Sequence, residues 1–232
     1  MTATSSHRTA VGRAPAFPDL FTDDALRIET PRLWLRWPSF QDVQRLHDVA
    51  SREAVARPTA TWPHPLPEGE ALRRIERARS ANARGNGIVL ALTPKSQPKE
   101  LIGIIGAGRD DDRPDRAEVG YLLDVAQQGR GLMTEALGAL SDAVFLYTAL
   151  CGLTGASGLK NAASRRVMEK AGFRPVGQRK YDAPARGGFI DCTELELTRG
   201  EWLKLRAGSG IAGVAAMWAR APCSGRQAVE AA

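Results

Sequence analysis

The chain has 232 residues, of which 43% are hydrophobic and 25% charged, and its formal net charge is +6. These proportions are those of a folded soluble protein with one sizeable core, and they exclude a largely disordered chain. The apolar segment Ile211 to Ala219 falls well short of the roughly 20 residues of a bilayer span, so a tail or docking helix is expected there and no membrane partner.

Residues 1–24 lack apolar periodicity and are expected to form a disordered arm. Arg8, Arg13, Pro15 and Pro18 interrupt any signal-like apolar segment, which fits a cytoplasmic protein. Leu26 to Trp37 reads as two strands around a Thr30-Pro31 turn, followed by a capping signal at Ser39 and Asp42 for a helix reaching Ser51. A proline-rich connector, Pro58 to Pro67, leads into a charged helix from Glu68 to Arg84. Ile88 to Thr93, Glu100 to Arg109 and Arg116 to Asp124 read as an antiparallel meander. Leu132, Ala136, Leu140, Ala143 and Tyr147 then recur at helical spacing behind a glycine turn. A strand near Leu150 to Ala156, a helix from Ala162 to Ala171 closed by Gly172, and a hairpin of Phe173 to Tyr181 with Phe189 to Leu197 complete a domain of residues 25–206. Residues 207–232 carry no core-forming pattern and are expected to be a tail.

Cys151, Cys192 and Cys223 are odd in number and lack ligand or redox spacing, which argues against a disulfide framework and a zinc site; no metal is expected. The positive charge is concentrated between Lys160 and Lys180, where seven Lys or Arg residues face one Glu. A phosphate-rich small ligand explains that cluster without nucleic acid. The turn Gln128-Gly129-Arg130-Gly131 opens a helix whose first amides lack partners, an arrangement that binds phosphate. Neither GxxxxGK(S/T) nor GxGxxG is matched, and on this fragment alone a plain glycine turn remains the alternative.

The fragment resembles the coenzyme A signature of the GNAT superfamily, (R/Q)xxGx(G/A), with Met133 where Gly or Ala is usual. Asn161-Ala-Ala-Ser164-Arg-Arg-Val-Met-Glu-Lys-Ala-Gly172-Phe173 resembles the NxxSxxxxEKxGF segment of the RimJ/RimL-like branch. Glu29-Thr30-Pro31-Arg32-Leu33, Trp62-Pro63-His64-Pro65 and Glu118-Val119-Gly120-Tyr121 occur in that branch's order. The resemblance covers roughly Leu26 to Arg206. It implies an α+β GNAT fold, a twisted and mostly antiparallel sheet flanked by helices, whose parallel central strands splay to admit pantetheine. Homodimers are common among such relatives.

The implied activity is transfer of an acetyl group from acetyl-CoA to a primary amine, by the resemblance the α-amine of a protein or peptide. The alternatives are a small-molecule amine, such as an antibiotic or polyamine, and an acyl-CoA-binding protein without turnover. The resemblance assigns the pyrophosphate to backbone amides near Gly129, Gly131, Met133 and Thr134, with Gln128 and Arg130 in the same loop. Met133 must then point away from the phosphates. Glu118 shares a strand face with Gly120 and Leu122, opposite Val119 and Tyr121, and could accept the amine proton; an ordinary cross-strand carboxylate is the alternative. Ser164 matches the branch's proposed acid for the departing thiolate, or is a helix N-terminal serine. Asn161 fits a pantetheine or water contact, and the Leu123 backbone an oxyanion donor.

Overall fold

The computed structural model describes residues 24–110 and 112–207. The expectations for the N-terminal arm up to residue 23, for the tail beyond Ala207 and for Cys223 lie outside the described residues. The strands are β1 (Arg27–Glu29), β2 (Leu33–Arg36), β3 (Gly87–Pro94), β4 (Gly103–Arg109), β5 (Arg116–Leu123), β6 (Gly152–Gly158), β7 (Arg174–Ala183) and β8 (Gly188–Thr198). The helices are α1 (Val43–Ala50), α2 (Glu53–Ala56), α3 (Glu70–Ala83), α4 (Leu132–Tyr147), α5 (Ala162–Lys170) and α6 (Arg199–Leu205).

All eight strands join one sheet in the order β1-β2-β3-β4-β5-β6-β8-β7, and every pair is antiparallel except β5 with β6. That exception follows from the long crossover through α4, since parallel strands cannot be joined by a hairpin. Its ladder is short: Arg116 faces Gly152, Ala117 faces Leu153 and Glu118 faces Thr154. Beyond Glu118, β5 stays bonded to β4 as far as Leu123, while β6 stays bonded to β8 as far as Gly158. The two strands therefore part in mid-sheet, as the resemblance implies for this α+β fold.

Period-two alternation supplies a core on each face of the sheet. Ile88, Leu90 and Leu92 of β3 pack with Ala136, Leu137 and Leu140 of α4, whereas Ala91 packs with Leu46 of α1 and Ile75 of α3. The start of the helical layer is fixed by Asp42, whose carboxylate accepts from the Ser39 backbone at 2.7 Å and from both Arg36 Nη atoms at 2.7 Å. Burial pushes the Asp42 pKa up, but these donors outweigh it and hold it below the usual range. The helix α5 ends at Gly172, φ 98°, where Phe173 N–H returns to the Met168 carbonyl at 3.0 Å. The positive φ is what calls for glycine; a Cβ there would also lie 2.2 Å from Leu205 Cδ1, the end of an exposed side chain that would have to turn aside.

Two helices were not expected from the sequence, α2 and α6, because four and seven residues are too few for periodicity to register. The second is set by a capping box of Thr198 with Glu201 and by buried Trp202, whose ring centroid lies 5.2 Å from that of Phe145. Cys192 is a buried free thiol, but Cys151 is disulfide-bonded. The sequence argued against a disulfide framework, and at Cys151 that expectation is corrected; spacing along the chain does not report proximity in the fold.

Candidate active site

The gap between β5 and β6 opens into a cavity of about 830 Å³ lined from both faces of the sheet. On the α4 side its wall includes Gln128, Gly129, Gly131, Met133 and Thr134. Gly129 and Gly131 adopt left-handed torsions, φ 74° and 75°, which a residue with a Cβ reaches only at a cost. Gly131 is the N-cap of α4, and no side chain caps the helix there. The first backbone bond of the helix runs from Glu135 N–H to the Gly131 carbonyl at 3.1 Å, so the amides of Leu132, Met133 and Thr134 precede any intrahelical partner. They stand at the positive end of a 16-residue helix. The Met133 side chain is buried in the core behind the loop, so its bulk is directed away from the amide cradle. Arg166 and Lys170 of α5 add two cations to the cavity wall.

The edge of β5 adds backbone groups to the gap. Asp124 N–H donates to the Ile102 carbonyl at 2.8 Å, on the β4 side. Backbone groups alternate along a strand, so those of Leu123 and Tyr121 face the gap. The Gln128 amide donates to the Leu123 carbonyl at 3.0 Å and ties the loop to this edge.

On the opposite face Glu118 lines the cavity with its carboxylate 3.3 Å from Arg179 Nη2. Burial pushes the Glu118 pKa above the usual carboxylate range, opposed by the Arg179 charge and a Tyr181 hydrogen bond. Glu118 is thus a carboxylate destabilised as an anion, held at the wall of a cleft, with 30% of its side chain exposed. Such a group can accept a proton from a bound amine. Across the strand, the Tyr121 hydroxyl lies 3.1 Å from the Ser164 carbonyl, to which it donates, and 3.0 Å from Ser164 Oγ. Burial raises the Tyr121 pKa to about 12, so this pair keeps its proton at neutral pH.

A fold with a glycine-capped helix behind a strand gap can hold a pyrophosphate at one end and a pantetheine arm along β5. The model of a GNAT acetyltransferase domain matches residues 32–174. The chain belongs to the GNAT acetyltransferase family. This is a family of acetyl-CoA-dependent N-acetyltransferases. A probable N-acetyltransferase, YjcK of Bacillus subtilis, is 36% identical over 75 residues, 32% of this chain and 41% of that protein. The chain thus matches less than half of that curated relative's length. Solved structures with the same fold include a ribosomal-protein-S5-alanine acetyltransferase from Vibrio fischeri, TM-score 0.63, 20% identical, covering 76% of this chain and 98% of the other. Mycobacterium smegmatis RimJ in complex with a CoA-disulfide gives a TM-score of 0.62 at 18% identity, covering 81% and 90%.

The GNAT cavity gathers Glu118, Leu123, Gln128, Gly129, Gly131, Met133, Thr134, Asn161 and Ser164. Arg130 is placed differently: its guanidinium donates to Gln127 at 2.6 Å, and its side chain is outside the cavity wall. Asn161, rather than Ser164, caps α5, accepting from Ser164 N–H at 3.1 Å, and its amide donates to the Pro58 carbonyl at 3.3 Å. Asn161 therefore joins α5 to the proline-rich connector.

Sequence reasoning missed Tyr121 as the partner of Ser164, although strand alternation had separated it from Glu118. It also missed the role of Thr30 and Arg32. Glu135, in the first turn of α4, accepts from Thr30 Oγ1 at 2.6 Å, from Arg32 N–H at 2.8 Å and from Arg32 Nε at 2.6 Å. Arg32 Nη1 donates to the Arg130 carbonyl at 2.8 Å. Burial raises the Glu135 pKa, but these donors outweigh it and lower it. The turn between β1 and β2 is in this way clamped onto the glycine loop. Arg32→Ala should weaken coenzyme A binding about tenfold by calorimetry, the scale of one charge-assisted hydrogen-bond set, with little change in kcat at saturating acetyl-CoA. A reduced kcat with unchanged affinity would mean that the clamp does not act on the loop.

Proposed function

We propose that the protein transfers the acetyl group of acetyl-CoA to the α-amine of a protein or peptide by direct attack of the amine on the thioester. The observation that carries the proposal is the placement of Glu118 on one face of the β5–β6 gap, with the glycine loop and the Tyr121–Ser164 pair on the other. Coenzyme A fits this chain's residues: its pyrophosphate on the uncapped start of α4, its arm along the free edge of β5. The amine nitrogen bonds to the carbonyl carbon, its proton passes to Glu118 directly or through water, and the carbon–sulfur bond breaks. The thiolate takes a proton from the Ser164–Tyr121 pair or from water. The Leu123 amide supports the carbonyl oxygen as it gains charge.

The α-amine is favoured because a lone carboxylate must deprotonate the acceptor. An α-amino group has a pKa of about 7.7–8.0 and a lysine about 10.4, a gap worth roughly 3.5 kcal/mol. The S5-alanine acetyltransferase with the same fold acts on a protein, which supports the same choice. A competition assay with labelled acetyl-CoA tests it, offering N-terminally free peptides, lysine peptides with blocked termini, and polyamine or aminoglycoside acceptors. The free N-termini should show the highest kcat/KM. Preferential labelling of lysine side chains or small amines would overturn the acceptor while leaving acetyl transfer intact.

A further inference from the structure

The charged residues on the cavity wall, among the described residues, are four cations, Arg74, Arg77, Arg166 and Lys170, and one anion, Glu118. The anion is already opposed by Arg179. Lys170 also shares a smaller cavity with Thr134 and Glu135, which places this α5 cation beside the start of α4, where phosphate is expected. Arg74 and Arg77 belong to the other face. They project from α3, whose Ile75 packs on Leu122 and Ile104, the face of β5 that carries Glu118.

These two arginines are only partly neutralised locally. Arg73, Arg74 and Arg77 share one carboxylate, Glu70, at 3.0, 2.7 and 3.9 Å. Arg73 and Arg74 each take one of its oxygens, and the Arg77 side chain, 68% exposed, is left at the longest distance. Arg74 is held in place besides: its guanidinium donates to the Thr61 carbonyl and stacks 4.3 Å from the Trp62 ring. Thr61, Trp62 and Arg74 are all part of the cavity wall. The face that receives the amine thus presents one ordered and one largely exposed cation beside a single, already paired carboxylate.

We propose that Arg74 and Arg77 select acceptor peptides carrying acidic side chains in the first few residues after the reacting N-terminus. The inference rests on the acetyltransferase reading above and narrows its substrate. The peptide's α-amine approaches Glu118, and carboxylates downstream meet the arginines of α3. A polyamine or aminoglycoside would bring several ammonium groups to the same wall and be repelled, as would a lysine-rich N-terminus.

The test uses the full chain and three peptides that differ only at residues two and three, as Glu, Ala or Lys pairs. At low salt kcat/KM should rank Glu above Ala above Lys, with roughly a fivefold step each time, the scale of partly exposed ion pairs. The spread should shrink as ionic strength rises. Arg77→Glu should reduce or invert the ranking while coenzyme A affinity, measured on the same preparation, stays unchanged. Equal rates for the three peptides, a preference for lysine, or a ranking indifferent to Arg77→Glu would overturn the charge selection and leave the α-amine reading standing. Acetylation of polyamines or aminoglycosides with none of the peptides would remove both.

Discussion

Gly131→Glu should abolish coenzyme A binding in a protein that still folds. Two effects act in the same direction. The residue sits at φ 75°, ψ 5°, where a side chain costs about 1–2 kcal/mol, and a carboxylate placed at the start of α4 would meet the phosphates that the exposed amides attract. The strain acts on affinity as far as the loop relaxes out of the cradle torsions, and together with the repulsion it should raise Kd by roughly a hundredfold, or about 2.8 kcal/mol. Folding is expected to survive, because a Cβ at Gly131 meets nothing closer than Arg32 Nη2 at 3.6 Å. Gly131→Asn separates the two effects, since asparagine tolerates left-handed torsions and adds no charge; it should retain most of the affinity. Calorimetric titration of both variants with coenzyme A decides the matter, and an unchanged affinity in folded Gly131→Glu would take the phosphate away from this loop.

Much of the fold was legible because its strongest signals are local. The strands β3 to β5 alternate apolar residues between turn residues, α4 has a long helical repeat, and Gly172 marks a helix end by its chemistry alone. What stayed hidden depends on contacts between distant segments. Thr30 and Arg32 reach Glu135 across more than a hundred residues, and nothing in the spacing of a short turn announces that it will clamp a helix. Likewise Tyr121 reads as one more aromatic strand residue until α5 folds back to set Ser164 against it. The α3 arginines read only as part of a charged helix. Their position on the cavity wall follows only from how α3 packs on β5. Arg130 shows the reverse case, a motif residue whose backbone is used by the fold while its side chain turns to Gln127.

Glu118→Gln should lower kcat by about a hundredfold or more, the usual contribution of a positioned general base, while acetyl-CoA affinity is retained. The pH dependence identifies the cause. Burial holds the Glu118 pKa above the usual carboxylate range, so the wild-type acidic limb of kcat/KM should include the titration of this group, and the limb of Glu118→Gln should be governed by the acceptor amine alone. Stability should move the other way. A carboxyl whose folded pKa is raised favours the folded state when protonated, at low pH, and opposes it once pH exceeds the folded value. Replacing it with a neutral amide removes that opposition, so Tm at pH 7 should be unchanged or higher, even though Arg179 loses its partner. The Ser164→Ala and Tyr121→Phe variants should be less impaired than Glu118→Gln, because a thiol with a pKa of about 8.5 leaves tolerably as its anion near neutral pH. Their kcat should fall more clearly as pH drops if the pair donates a proton. If Ser164→Ala proves the most damaging of the three at pH 7, with coenzyme A affinity intact, departure of the sulfur rather than deprotonation of the amine limits the reaction, and the roles assigned to the two faces of β5 must be exchanged in weight.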